Sequence, residues 1–139
     1  MATYLSWAGA ASECKIEHIN STLPSVHSAE EGKFLQDNIS SDQFWVGASR
    51  NVGADYTSPS SWTWSDGTPM NYTAWATGQP NNSWWGERCV RSREGQGEKM
   101  WDDHKCKKKI TRAFVCKLQL QWSLRTDGEL LSLHKKIPK

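Results

Sequence analysis

Between residues 79 and 103 the chain reads Gln79-Pro80-Asn81-Asn82, then Glu87-Arg88-Cys89-Val90, then Trp101-Asp102-Asp103. Asn82 aside, five of these side chains offer oxygen: Gln79, Asn81, Glu87, Asp102 and Asp103, the last three as carboxylates. A hard cation such as Ca2+ takes about six to eight oxygens, from carboxylates and amide carbonyls alike. Pro80 stands between two amides, and a cis bond before it would turn Gln79 and Asn81 toward one point. His104, next along, prefers softer metals. Taken singly, Glu87 or Asp103 is an ordinary polar residue beside a turn. Taken together, with Pro80 and Cys89 interleaved, the set points to a cation site.

Outward from that stretch, the chain has 139 residues, enough for one ordinary domain. Lys and Arg total 17 against 15 Asp and Glu, a formal charge of +2, which excludes a binder dominated by nucleic-acid phosphates. Mean hydropathy is −0.72, and no apolar run is long enough to span a bilayer. Nine Trp, three Tyr and three Phe supply a core of large rings despite 37% hydrophobic content, so disorder is a poor reading. The four cysteines, Cys14, Cys89, Cys106 and Cys116, form no C-x-x-C and suit two disulfides in any of three connectivities. With four N-x-S/T sequons, at Asn20, Asn38, Asn71 and Asn81, they place the protein in a secreted or extracellular setting. No apolar leader precedes Tyr4, and Met1-Ala2-Thr3 reads as a trimmed start.

Two helices are expected early. Residues 5–15 put Trp7, Ala11 and Cys14 on one face. Ser28-Ala29-Glu30-Glu31 has the form of a capping box, in which Ser28 receives the Glu31 amide and the Glu31 carboxylate reaches back. Phe34, Leu35 and Ile39 then give the buried stripe. Phe44-Trp45-Val46-Gly47 reads as a buried strand, and from residue 49 to 100 periodicity nearly vanishes. Trp62-Thr63-Trp64 alternates like a short strand before the turn Ser65-Asp66-Gly67-Thr68. A long irregular stretch this rich in Trp is an ordered, functional loop region. Short strands return at Cys89-Val90, at Lys99–Trp101 and over Arg112–Leu118. The class is α+β: two helices, small antiparallel sheets and a long ordered loop region. After Cys116, Leu118, Leu120, Trp122 and Leu124 alternate with polar residues, and Leu130, Leu131 and Leu133 follow Asp127-Gly128. This tail reads as an extra hairpin, a pairing edge for a partner, or a loosely docked end.

In order along the chain, Cys14, Phe44-Trp45-Val46-Gly47, Trp62-Thr63-Trp64-Ser65-Asp66-Gly67-Thr68 and Asn71-Tyr72-Thr73-Ala74-Trp75 precede the residues quoted first. Cys106 and Phe114-Val115-Cys116 follow them. The whole resembles a C-type lectin domain of the four-cysteine short form over about residues 4–118. The division expected is residues 1–118 as the recognition domain and 119–139 as a tail that pairs or oligomerises. The resemblance implies pairing of Cys14 with Cys116 and of Cys89 with Cys106. It implies that Gln79, Asn81, Glu87, Asp102 and Asp103 hold one Ca2+, to which two vicinal sugar hydroxyls bind directly. Gln79, Asn81, Glu87 and Asp102 then hydrogen-bond those hydroxyls. A second Ca2+ found in relatives is not expected, because the aligned positions read Arg50, Asn82 and Arg88, and two cations there repel another.

Members with Glu-Pro-Asn resemble mannose-type binders and those with Gln-Pro-Asp galactose-type. Gln79-Pro80-Asn81 is neither, and Asp102 replaces the usual Asn. Three carboxylates are kept, but amides gather on one side and carboxylates on the other. One sugar hydroxyl therefore lacks a side-chain acceptor, at a cost of about 1–3 kcal/mol. Trp84 and Trp85 stand where galactose-type relatives carry a stacking aromatic, so the reading leans to galactose or N-acetylgalactosamine. Asn81 cannot be both cation ligand and glycan acceptor, and is taken as ligand. The basic run His104–Lys109, with Arg112, reads as a solvated loop or as an accessory surface for sulfated or sialylated glycans. The partners expected are glycans or glycoproteins, with no membrane insertion. The rival reading is a protein-binding or structural domain on the same fold. An enzyme built on Ser83, Asp102, Asp103 and His104 is rejected, since no nucleophile elbow or oxyanion-hole motif accompanies them.

Overall fold

A computed structural model describes residues 4–39, 42–83, 85–93, 100–118, 121–126 and 129–133, the last two segments as backbone. Helix α1 (Trp7–Glu17) starts at Ser6, whose Oγ accepts the Gly9 N–H at 3.2 Å. It lies two residues further on than the expected span of 5–15 and buries Ala10 and Cys14. Helix α2 (Ala29–Asn38) starts at Ser28, whose Oγ accepts the Glu31 N–H at 3.0 Å. Only half of the expected capping box forms. Glu31 Oε1 takes the N–H of His27, at 2.7 Å, rather than that of Ser28. The cause is Lys117, whose Nζ lies 2.8 Å from Glu31 Oε2 and draws the carboxylate inward. That ammonium also donates to the carbonyl and hydroxyl of Ser25, at 3.0 and 3.1 Å. The pair is 0–4% exposed, and these bonds offset the cost of burying its charges.

Strand β1 (Gln43–Arg50) is the centre of the main sheet, with β2 (Trp62–Trp64) on one side. Strands β3 (Glu87–Arg93) and β4 (Trp101–Lys105) follow on the other, all antiparallel. Both β3 and β4 run past the short apolar pieces visible in the sequence, because polar residues of the site continue the ladder. Gly47 is required in β1: a Cβ there would collide with the Leu23 carbonyl oxygen, and the Gly47 N–H donates to Pro24 O at 2.8 Å. Strand β5 (Phe114–Leu118) opens a second antiparallel sheet with β6 (Gln121–Thr126) and β7 (Glu129–Leu133). The tail thus forms the hairpin β6–β7, with Leu124 opposite Leu131 and Trp122 opposite Leu133.

The core divides in two. Val26, Leu35, Phe44, Val46, Trp62, Trp64, Trp101 and Val115 pack on one side of the sheet. Ala10, Leu23, Trp45 and Phe114 pack on the other, with the cysteines. The disulfides are Cys14–Cys116 and Cys89–Cys106, as the resemblance implied. Their loops of 102 and 17 residues are worth about 4.7 and about 3 kcal/mol in the chain-entropy account. The long irregular stretch is tied down by rings. Trp75 bridges to Trp101, and edge-on contacts join Trp62 to Trp75 and Trp75 to Trp101 at 5.0 and 5.8 Å. Two backbone bonds of 2.8 Å, from Met100 and Trp101 to Ala74 O, fix it beside β4.

Candidate functional site

The Gln79–Pro80 bond is cis, and the Asn81 and Asn82 N–H groups that follow both donate to Asp103, at 3.0 Å to Oδ1 and 2.7 Å to Oδ2. Asp103 lies on β4, so its carboxylate docks the loop on the sheet. Asn81 Oδ1 accepts the Ser83 N–H at 3.1 Å. Asn82 takes a left-handed φ of 48°, and its Oδ1 gathers the N–H groups of Gly86 and Glu87 at 3.0 and 3.1 Å. Arg50, at the end of β1, reaches the same oxygen at 3.0 Å. It also donates to Glu87 O at 2.9 Å and to Ala54 O at 2.8 Å, with its guanidinium over the Trp62 ring. A buried guanidinium therefore organises this loop. The sequence marks Arg50 only as a lost acid; its three acceptors are a tertiary fact.

These segments enclose an open pocket of about 540 Å³ whose lining includes Gln79, Asn81, Glu87, Asp102 and Asp103, the five residues expected to converge. Two buried oxygens in it, Gln79 Oε1 and Glu87 Oε1, have no hydrogen-bond partner among the described residues. Burial first, and then the nearby Asp103, push the Glu87 carboxyl up to about 7, against the Ser83 N–H. Beside it, His104 Nδ1 lies 3.6 Å from Glu87 Oε2. Burial, followed by the charge of Arg91, lowers that imidazole to about 4, so it stands neutral near pH 7.

Asp102 has a different partner from the one expected. It faces Arg91 across the β3–β4 ladder, and the two form a bidentate pair at 2.7 and 3.1 Å. Arg93 adds a contact of 3.4 Å to the same carboxylate. The pair arises from register: Arg91 and Asp102 are direct neighbours in the ladder, which eleven residues of separation in the sequence do not reveal. Trp85 is 92% exposed beside the loop, whereas Trp84 lies outside the described residues. Arg91, Arg93, Lys105 and Lys108 also line the pocket. Of these only the two lysines belong to the basic run His104–Lys109.

Whether such a pocket suits a cation depends on its free donors. Among the described residues no group of three or more His, Cys, Asp or Glu side chains converges to hold a metal on its own. The two orphaned oxygens, one amide and one carboxylate, nevertheless fit a hard, oxygen-seeking ion. A positive charge there would also offset the repulsion between Glu87 and Asp103.

The family described as the lectin C-type domain matches residues 3–118. C-type lectin lectoxin-Lio1 of Erythrolamprus poecilogyrus is 38% identical over 121 residues, covering 85% of this chain and 71% of the relative. Among solved structures, the C-type lectin CEL-I from Cucumaria echinata superposes with a TM-score of 0.66 at 26% identity, over 86% of this chain and 88% of its own. A calcium-independent type II antifreeze protein superposes with a TM-score of 0.62 at 29% identity, over 77% of this chain and 75% of its own.

Proposed function

The chain belongs to the C-type lectin domain family, and from that premise we propose that it binds carbohydrate in the pocket between the Gln79–Glu87 loop and β4. The observation that carries this reading is the pair of buried oxygens, Gln79 Oε1 and Glu87 Oε1, that have no hydrogen-bond partner among the described residues. Gln79, Asn81, Glu87 and Asp103 would hold one Ca2+ there, with Asp102 adding its charge from the Arg91 pair. The ion, when bound, supplies direct coordination for two vicinal sugar hydroxyls. The chain's own part is to orient. Asp103 fixes the Asn81–Asn82 backbone, Arg50 fixes Asn82 and Glu87, and the Gln79 and Asn81 amides donate to sugar oxygens. The exposed Trp85 indole offers a face for the apolar side of galactose or N-acetylgalactosamine, which is the sugar class we infer. Two disulfides suit an oxidising, extracellular compartment, and no helix among the described residues is long and apolar enough to cross a membrane.

One observation favours a second reading. Arg91 and Arg93 already neutralise Asp102, and a protein of this fold is described as a calcium-independent antifreeze protein. On that reading the domain binds protein, or another surface, without a cation. Titration calorimetry separates the two. One Ca2+ per chain, followed by galactose heat in saturating Ca2+, is the expected result. Mannose heat instead would remove Trp85 from the sugar site. No Ca2+ heat at millimolar concentration would overturn the cation-dependent mechanism and favour the second reading.

A further inference from the structure

We propose that the saccharide taken by this pocket is acidic, an oligosaccharide carrying sulfate or carboxylate groups on both sides of the central sugar; the inference rests on the carbohydrate reading above. The lining is unlike that of a site made only for a cation and a neutral ring. Two of its three carboxylates are already paired, Asp103 with two backbone N–H groups and Asp102 with Arg91, and the buried Glu87 is left to the cation. The cations behave oppositely. Arg93 is 58% exposed, lines the pocket and touches Asp102 only at 3.4 Å. Lys105 and Lys108 are exposed at the lining and have no carboxylate partner among the described residues. What the pocket turns outward is therefore positive charge, in a protein whose overall charge is only +2.

The placement of these cations sets the ligand's length. In the β3–β4 ladder Ser92 pairs with Trp101 and Glu87 with Lys105, so Arg93 and Lys105 stand at opposite ends. The Arg93 guanidinium sits at Asp102, three residues from Lys105, so at about 3.3 Å per residue the two are about 10 Å apart along the strand, more than one sugar ring spans. A single anionic sugar meets one end; a short acidic chain meets both. The planar Arg93 fork matches the paired oxygens of sulfate or carboxylate, and the two lysines act as point charges. Lys107, Lys109 and Arg112, the rest of the basic run, are not in the lining.

The test compares three tetrasaccharides binding to the full chain in saturating Ca2+: a neutral galacto-oligosaccharide, unsulfated chondroitin and sulfated chondroitin. At low salt an acidic chain is expected to bind about tenfold tighter than the neutral one, the worth of one charge-assisted hydrogen bond. That advantage should shrink severalfold in about 0.5 M NaCl. Gain with unsulfated chondroitin identifies the carboxylate as sufficient, and gain only with the sulfated chain identifies sulfate. Arg93→Gln, and Lys105→Gln with Lys108→Gln, should each lower the acidic-to-neutral ratio; all three side chains are exposed, so the fold tolerates them. Equal affinity for neutral and acidic chains, or a ratio unmoved by both variants, overturns the inference while leaving the cation-dependent reading intact. Acidic preference that survives EDTA and Glu87→Gln does the reverse: the charge inference stands and the Ca2+ mechanism falls.

Discussion

Replacing Arg50 by Met tests whether one guanidinium holds the site loop in place. Arg50 is 6% exposed and makes bonds of 2.8, 3.0 and 2.9 Å to Ala54 O, Asn82 Oδ1 and Glu87 O. Methionine keeps the stem but removes the donor from Ala54 O and Glu87 O, while Asn82 Oδ1 keeps the Gly86 and Glu87 N–H groups. Ala54 and Asn82 are partly exposed and can turn to water, whereas Glu87 is buried, so its carbonyl bears a penalty of about 1–3 kcal/mol. Loss of the Trp62 contact adds about 1 kcal/mol. Against this, removing a buried charge whose Nε has no partner among the described residues recovers part of its desolvation. The net cost comes to about 1–3 kcal/mol, or roughly 7 °C in melting temperature for a domain of this size. Urea unfolding with both disulfides oxidised measures it, and Arg50→Lys should fall between, since an ammonium cannot reach three acceptors in a plane. Because Asn82 also gathers the Gly86 and Glu87 N–H groups, Arg50→Met should weaken ligand binding at a temperature where the fold persists. An unchanged urea midpoint together with unchanged binding would refute this reasoning.

Three further outcomes are expected. Lys117→Met strands the Glu31 carboxylate in the core and should cost about 3–5 kcal/mol, while Glu31→Leu with Lys117→Met should regain most of it; simple additivity in urea unfolding would contradict a coupled pair. For Asp66, burial pushes the carboxyl up, but bonds from Ser25 and Thr68 and the charge of Lys117 outweigh it and hold it below its ordinary 3.8. Its contribution is therefore full above that value and lost as pH falls through the lowered one, so wild type should lose more stability than Asp66→Asn between about pH 5 and about pH 2; parallel curves would remove the claim. Trp85→Ala should change stability by less than about 0.5 kcal/mol, because the ring is 92% exposed, yet lower galactose affinity in Ca2+; equal affinity would show that the ring does not meet the sugar.

The local signals in the sequence were strong where physics is local. Ser28 capped its helix, Trp62-Thr63-Trp64 alternated as a strand with its outer residues buried, and the Trp-rich stretch was ordered. Gln79-Pro80-Asn81, Glu87 and Asp102-Asp103 were legible as a group because residue type and order carry that chemistry, and they do line one pocket. Partnerships across the fold were not legible. Glu31 turned from Ser28 to Lys117, 86 residues away, because a buried ammonium attracts a carboxylate more strongly than a backbone N–H does. Strand register set Arg91 against Asp102 and so removed one of three carboxylates counted as free. It also spaced Arg93 and Lys105 along the pocket. By itself, then, the sequence determined the family and most of the local elements, and it grouped five residues that line one pocket. Only the tertiary structure decided which of those charges meet each other and which face outward, since pairing energies depend on distance and burial that residue order does not contain.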